Sequence, residues 1–344
     1  VYTFIKGLKM QVRLLAKLWI VTCGVMMIAD SYANETIQIR SLFDINSAFC
    51  SIKTNGVEGV TNRASALEGR GYGTSSTNSM LALENGINEI SVEFGSLDWF
   101  SDNDDQTKGA FKADSSCSLS LVLKKQNNTQ VLKSITVSVD NKGIPFMDMD
   151  GESINKTQSK GIKIIGKQIE EGHFPDDFFE PLYFPKNMEL YEFKKTVFLK
   201  GLPEWKWVNA TKFTGSQVQT AALREAYIDL WREFAHKNNN AIKQRLHVSL
   251  DAWGISTFST PDEIYEDYNF VESFKNHAFK MQPLNWNDYK IEVMNQGRMV
   301  RFVNKTVPTY SPLTYFVKNK NGEQRIRSYA PIFSLINGKF IVVI

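Results

Sequence analysis

Thr214–Ala235 reads TGSQVQTAALREAYIDLWREFA, and it carries the strongest helical signal in the chain. Leu223, Tyr227, Leu230, Trp231 and Phe234 recur at helical spacing, with Arg224, Glu225, Asp229, Arg232 and Glu233 between them. One apolar stripe on a charged cylinder predicts a helix that packs on a core by one side. A second run follows, in which Leu246, Leu250 and Trp253 share a face and Gly254 is placed to end it. Thr260-Pro261-Asp262-Glu263 predicts a third helix start: Thr260 caps, Pro261 suits the first helical position and Glu263 closes a capping box. Ile264, Tyr268, Val271 and Phe274 then face inward. Everything after residue 285 reads as strands that pack on these helices.

Working outward, the C-terminal strands pair around turn signals. Ile291–Met294 and Met299–Val303 flank Asn295-Gln296-Gly297-Arg298, and Tyr315–Val317 and Ile326–Arg327 flank Asn319-Lys320-Asn321-Gly322. Ile332–Ile336 and Phe340–Ile344 flank Asn337-Gly338, a two-residue hairpin signal because both positions tolerate positive φ. Toward the N-terminus, Ile37 and Ile39, Ile90 to Phe94, Cys117 to Leu123, and Ile135 to Val139 alternate with polar neighbours. Period two means strands with one buried face. Gly69 to Asn78 is rich in Gly, Ser and Thr and reads as a loop; further strands are expected at Ile162–Ile165, Leu190–Leu199 and Trp205–Val208. Helices in one block and strands in others predict an α+β fold rather than alternating α/β. The expected division is a leader over 1–33, a β-sandwich-like domain over 34–150, and an α+β domain over 151–344 with a helical block and a C-terminal antiparallel meander.

The leader reading rests on Arg13 and Lys17 before an apolar run, Leu18 to Ala29, and on small residues in Ser31-Tyr32-Ala33. The run falls short of the ~20 residues of a membrane-spanning helix. Cleavage near Ala33 implies a periplasmic protein with no stable membrane span. The chain has 40 basic and 37 acidic residues, and residues 1–33 hold four of the former and one of the latter. Beyond Ala33 the chain is formally neutral, which excludes the electrostatic footprint of nucleic-acid binding. Cys50 and Cys117 remain, and in an oxidising compartment an even pair predicts a disulfide contributing about 4 kcal/mol.

Catalytic signatures are missing: no Gly-x-Ser-x-Gly, no phosphate loop, no dinucleotide fingerprint and no His-Glu-x-x-His. The four histidines, His173, His236, His247 and His277, are isolated in sequence, and His236 reads as a partner for a helix C-terminus. Asp102-Asn103-Asp104-Asp105 and Asp148-Met149-Asp150-Gly151 lack the offsets of a calcium loop. No cofactor, metal or catalytic residue is expected. Two stretches set large aromatics beside acids: Trp99 and Phe100 before Asp102, Asp104 and Asp105; Phe174 with Asp176, Asp177 and Phe178. Aromatics beside charges on a loop are how protein interfaces are often anchored, so these are the candidate partner-binding residues.

A leader, a two-Cys β-domain, an α+β C-terminal domain and an absence of catalytic motifs together resemble the periplasmic immunity proteins that bacteria pair with envelope-acting toxins, including lipase-type effectors of type VI secretion. The resemblance implies a binding protein, not an enzyme, that occludes the active site of a secreted toxin, a phospholipase acting on the envelope. The residues themselves leave two other readings open: an envelope structural, assembly or carbohydrate-binding module, and an envelope hydrolase with a spatially assembled site.

Overall fold

Period-two alternation builds the strands between Ile37 and Leu199, and 3.6-residue periodicity the helices that follow. The structure is a computed structural model and describes residues 37–101, 108–125, 128–148, 158–175 and 184–344. In chain order the elements are β1 (Ile37–Asn46), β2 (Ala48–Thr54), β3 (Val57–Thr61), α1 (Arg63–Leu67), β4 (Gly73–Asn78), β5 (Gly86–Ser96), β6 (Ser116–Lys125), β7 (Asn128–Val139), β8 (Pro145–Asp148), β9 (Gln158–Lys160), β10 (Ile162–Ile165) and β11 (Glu189–Leu199). Then come α2 (Gln217–Ala235), α3 (Asn239–Thr257), α4 (Pro261–Asp267) and α5 (Phe270–Lys275). The chain closes with β12 (Lys280–Met281), β13 (Tyr289–Met294), β14 (Met299–Asn304), β15 (Leu313–Lys318), β16 (Gln324–Tyr329), β17 (Phe333–Ile336) and β18 (Lys339–Val342). The fold is α+β with a β-rich N-terminal part, as the patterns predict.

The N-terminal part is a sandwich of two antiparallel sheets, ordered β4-β1-β6-β7-β8-β9 and β10-β11-β5-β2-β3. Ile39, Phe43, Leu119, Leu121, Ile135 and Val137 from one sheet share a core with Ile52, Ile90, Val92, Phe94 and Phe193 from the other. A disulfide between Cys50 on β2 and Cys117 on β6 ties the two sheets together inside that core. Strands β10 and β11 come from beyond residue 150 yet complete the second sheet, so the hydrogen-bonded sheets do not divide at the expected boundary. The physical reason is edge satisfaction: β11 pairs with β5 along nine positions, from Tyr191↔Phe94 to Leu199↔Gly86, and makes β5 a central strand. The expected loop at Gly69–Asn78 contains β4, an exposed edge strand paired with β1.

The helical block packs on the C-terminal strands. Leu223, Tyr227, Leu230 and Phe234 of α2 and Ile242, Leu246 and Leu250 of α3 share a core with Val300, Phe302, Tyr315 and Phe333. Tyr227 is fully buried; its hydroxyl donates to Pro331 O at 3.3 Å and accepts from Phe302 N at 3.1 Å. The capping box at Thr260 is present. Three local expectations are corrected. Gly254 does not end its helix; α3 runs on to Thr257 and Phe258 takes the left-handed cap at φ 61°. Gly254 is small because a Cβ there would sit 2.6 Å from Ser259 O. The third helix breaks at Asn269 (φ 55°), which turns Val271 outward, 42% exposed. Trp205–Val208 is a turn, in which the indoles of Trp205 and Trp207 donate to Met80 O (3.0 Å) and Leu81 O (2.9 Å).

The expected meander is two sheets, β12-β15-β16 and β13-β14-β17-β18. Asn337 and Gly338 have the positive φ values, 50° and 77°, that their hairpin needs. The last residues are built in: Ile332 N donates to Ile344 O and Val343 N to Ile332 O, both at 2.9 Å.

Candidate functional site: the outer face of the five-stranded sheet

A strand that buries alternate residues must present the others. In the five-stranded sheet, Ile52 on β2, Ile90 and Val92 on β5 and Phe193 on β11 face the sandwich core. Their neighbours Ser51 and Lys53, Glu89, Ser91 and Glu93, and Glu192 and Lys194 therefore line the other face. Register then places like charges together, because Glu192 lies opposite Glu93. Directly opposed carboxylates repel, and two lysines answer them. Lys53 pairs with Glu93, and Lys194 lies 3.3 Å from both Glu192 and Glu89. Partial burial lowers the proton affinity of Lys194, but Glu192 and Glu89 outweigh it and raise the amine above its ordinary range.

The β13–β14 hairpin forms the wall beside this floor. Glu292 on β13 accepts from Lys167 at 2.5 Å and from Arg301 at 2.6 Å. Burial works to raise its carboxyl, and the two cations hold it below the usual carboxylate range. At the hairpin tip Asn295, Gln296 and Gly297 take positive φ in succession (49°, 54°, 89°). Left-handed backbone costs about 1 kcal/mol or more at a non-glycine residue, so the tip needs ties. Asn295 N donates to Asn55 O at 3.0 Å and Phe213 N to Gly297 O at 2.7 Å. Arg298 grips Glu84 with both terminal nitrogens, donates to Asn295 Oδ1 at 2.7 Å and lies over the Trp207 ring at 5.1 Å.

Floor and wall enclose a hollow of about 310 Å³ lined by Ser51, Lys53, Glu93, Leu190, Glu292 and their neighbours. Two exposed aliphatics stand on its rim, Ile165 (53%) and Val293 (51%). A second hollow of about 530 Å³ at the hairpin tip shares Gly56, Val293 and Met294 with the first. The result is a groove with fixed charges of both signs and apolar shoulders.

Of the predicted partner-binding residues, Trp99 and Phe100 border the first hollow through Leu190 and Phe184, and Phe174 does not line it. Trp99 and Phe100 sit in a short 3-10 turn, Leu97–Phe100, half-buried against Phe49, Ala66, Met188 and Leu190. Phe100 lies 5.8 Å from the Phe49 ring and 6.5 Å from Phe184. Phe174 is buried, 6% exposed, with its ring 5.0 Å from Tyr310; it packs into the fold and offers no surface anchor. Asp102, Asp104, Asp105, Asp176, Asp177 and Phe178 lie outside the described residues. Phe100 is brought to Phe184, and Phe174 to Tyr310. The groove residues were half-visible in sequence, since Glu89, Ser91 and Glu93 interleave the buried Ile90, Val92 and Phe94. Nothing in the pattern announces that Glu292 and Lys167 converge beside them.

One histidine meets carboxylates. His173 Nδ1 is 3.0 Å from Asp288 and Nε2 is 3.7 Å from Glu170. The adjacent hydroxyl, Thr306 Oγ1, accepts from His173 N at 2.9 Å and donates to Glu170 O at 2.6 Å, so it serves as a backbone tie. Among the described residues no group of three His, Cys, Asp or Glu side chains is arranged to hold a metal ion, and no helix is long and apolar enough to cross a membrane. His236 caps α2, and its N–H donates to Arg232 O.

Comparison with known proteins returns no match to this chain among protein-family models, curated proteins or solved structures.

Proposed function

We propose that this chain is an exported binding protein that neutralises an envelope-acting protein toxin, with a phospholipase as the partner that the sequence resemblance suggests, and that the groove on the five-stranded sheet is its docking site. The observation that carries the reading is the groove's construction. Lys53 with Glu93 and Lys167 with Glu292 are paired and held in place before any partner arrives, and its rim carries Ile165 and Val293 exposed. Pre-ordered charge supports fast, selective capture, and apolar shoulders supply the dry contacts that give affinity. The disulfide fits an oxidising compartment, as export to the periplasm would supply.

The experiment is affinity capture from the protein's own organism, repeated with Ile165→Lys and Val293→Lys together. A stoichiometric protein held by the parent and lost by the double variant supports the reading, provided that its toxicity in the envelope is relieved by the parent and not by the variant. A hydrolase reading would rest on His173 and Asp288; loss of an envelope-lytic activity on His173→Ala is the result that would favour it.

A further inference from the structure

Asn-Gly occurs four times in the chain, at Asn55-Gly56, Asn85-Gly86, Asn321-Gly322 and Asn337-Gly338. Glycine has no Cβ to shield its own backbone nitrogen, so that nitrogen can come close to Cγ of the preceding asparagine. Whether it attacks turns on geometry. A side-chain amide that is held elsewhere does not reach the near-attack position, and a nitrogen whose N–H is engaged is a poorer nucleophile. The fold holds the four pairs differently.

Asn55 and Asn337 make the sharpest contrast, because both sit in two-residue hairpin turns, closed by Thr54↔Val57 and Ile336↔Lys339. Their φ values are 48° and 50°, followed by 76° at Gly56 and 77° at Gly338, so the backbones match. The Asn55 side chain is clamped. Its Oδ1 accepts from Glu89 N at 2.8 Å, and its Nδ2 donates to Ala82 O at 2.7 Å and to Asn88 Oδ1 at 2.8 Å. Asn85 is held as well, donating to Leu202 O and accepting from Leu202 N, both at 2.9 Å. At the third pair the nucleophile is engaged, since Gly322 N donates to Asn319 O at 3.0 Å. Asn337 is exposed, and neither its side chain nor Gly338 N has a hydrogen-bond partner among the described residues.

We infer that Asn337 is a self-modifying site, which deamidates in the folded protein while the other three Asn-Gly pairs are protected. Gly338 N attacks Asn337 Cγ, and the new C–N bond closes a succinimide ring. The Cγ–Nδ2 bond breaks, and Nδ2 leaves as ammonia with a proton that balances the one shed by Gly338 N. Water then opens the ring at either carbonyl, its oxygen going to the acyl carbon and a hydrogen to the nitrogen. The product is aspartate or isoaspartate. Either one adds a negative charge beside Lys339. Isoaspartate also routes the main chain through the former side chain. The extra methylene lengthens a tight turn and loosens the register of β18 on β17, which runs from Ile336↔Lys339 to Phe333↔Val342. The inference does not depend on the groove or on its partner.

The test is peptide mapping by mass spectrometry of the full protein kept folded in mildly alkaline buffer; each Asn-Gly falls on its own tryptic peptide. Acid should accumulate at Asn337 about tenfold faster than at Asn55, Asn85 or Asn321. In denaturant, where the ties are gone, the three slow sites should rise to the rate of Asn337. The isoaspartyl form, separated by chromatography, should exchange its 339–342 amide hydrogens faster than the parent. Similar rates at all four sites in the folded protein, a native rate at Asn337 no faster than at Asn55, or an unchanged order of rates in denaturant overturns the inference. An isoaspartyl form whose 339–342 amides exchange as in the parent overturns the loosening of β18.

Discussion

The two faces of the five-stranded sheet are built from the same strands and held by opposite physics. Inward, Ile52, Ile90, Val92, Phe94 and Phe193 are 2% exposed or less and share one apolar core with the disulfide. Outward, Lys53, Glu93, Glu192 and Lys194 meet one another and water. Burial of the inner face removes apolar area from water and drives folding, while the charged part of the outer face contributes less, because ion pairs in contact with water gain little over hydration; at its other end the outer face is closed over by the buried Phe49 and Leu190. A surface that contributes little to stability yet keeps its charges in register is free to serve recognition.

Substitutions on the two faces should therefore separate stability from binding. The largest effect belongs to the inner face. Phe94→Ala should cost about 4 kcal/mol by cavity formation, measured by denaturant unfolding, whereas Ser91→Ala on the other side of the same strand should cost well under about 1 kcal/mol. Replacing Cys50 and Cys117 together by Ala should cost about 3–4 kcal/mol, read from the unfolding midpoint with and without reductant. Next comes the tie between the sheet and the hairpin wall. Arg298→Ala strands a largely buried Glu84 and releases Asn295 Oδ1, and a loss of about 3 kcal/mol is expected.

Glu292 sits between the extremes, three-quarters buried on the wall. Its carboxyl is held low in the folded state, so its contribution is fully present above the unfolded value near pH 4.3 and is lost as pH falls through the folded one. Glu292→Gln should cost about 1–2 kcal/mol at neutral pH, and the gap to the parent should close as an acid titration of stability descends below about pH 4. The smallest effect is on the open floor. Lys194→Ala, at a side chain 42% exposed, should move stability by less than about 0.5 kcal/mol while weakening partner capture.

The sequence made the inner face legible because burial imposes a period, and the helices for the same reason. Leu223, Tyr227, Leu230 and Phe234 are all buried as their spacing predicts. What it missed were events of long-range geometry. Alternation cannot say that β11, from beyond residue 150, pairs with β5, or that Glu292 comes to Lys167 at a separation of 125 residues. Composition misled at two kinds of position. Gly254 reads as a stop but answers a close approach by Ser259, and Phe174 reads as an interface anchor but packs on Tyr310. An aromatic beside acids looks alike whether its ring turns out or in, since only the tertiary fold decides.

The central claim is that a protein partner docks on the outer face of the five-stranded sheet. Hydrogen exchange of the protein with and without its captured partner tests it most directly. Protection is predicted in 51–58, 89–93, 162–167 and 290–297, with the inner-face strands β1, β6 and β7 unchanged. Protection confined to 97–100, or to the helical block, with the groove exchanging as in the free protein, would contradict it.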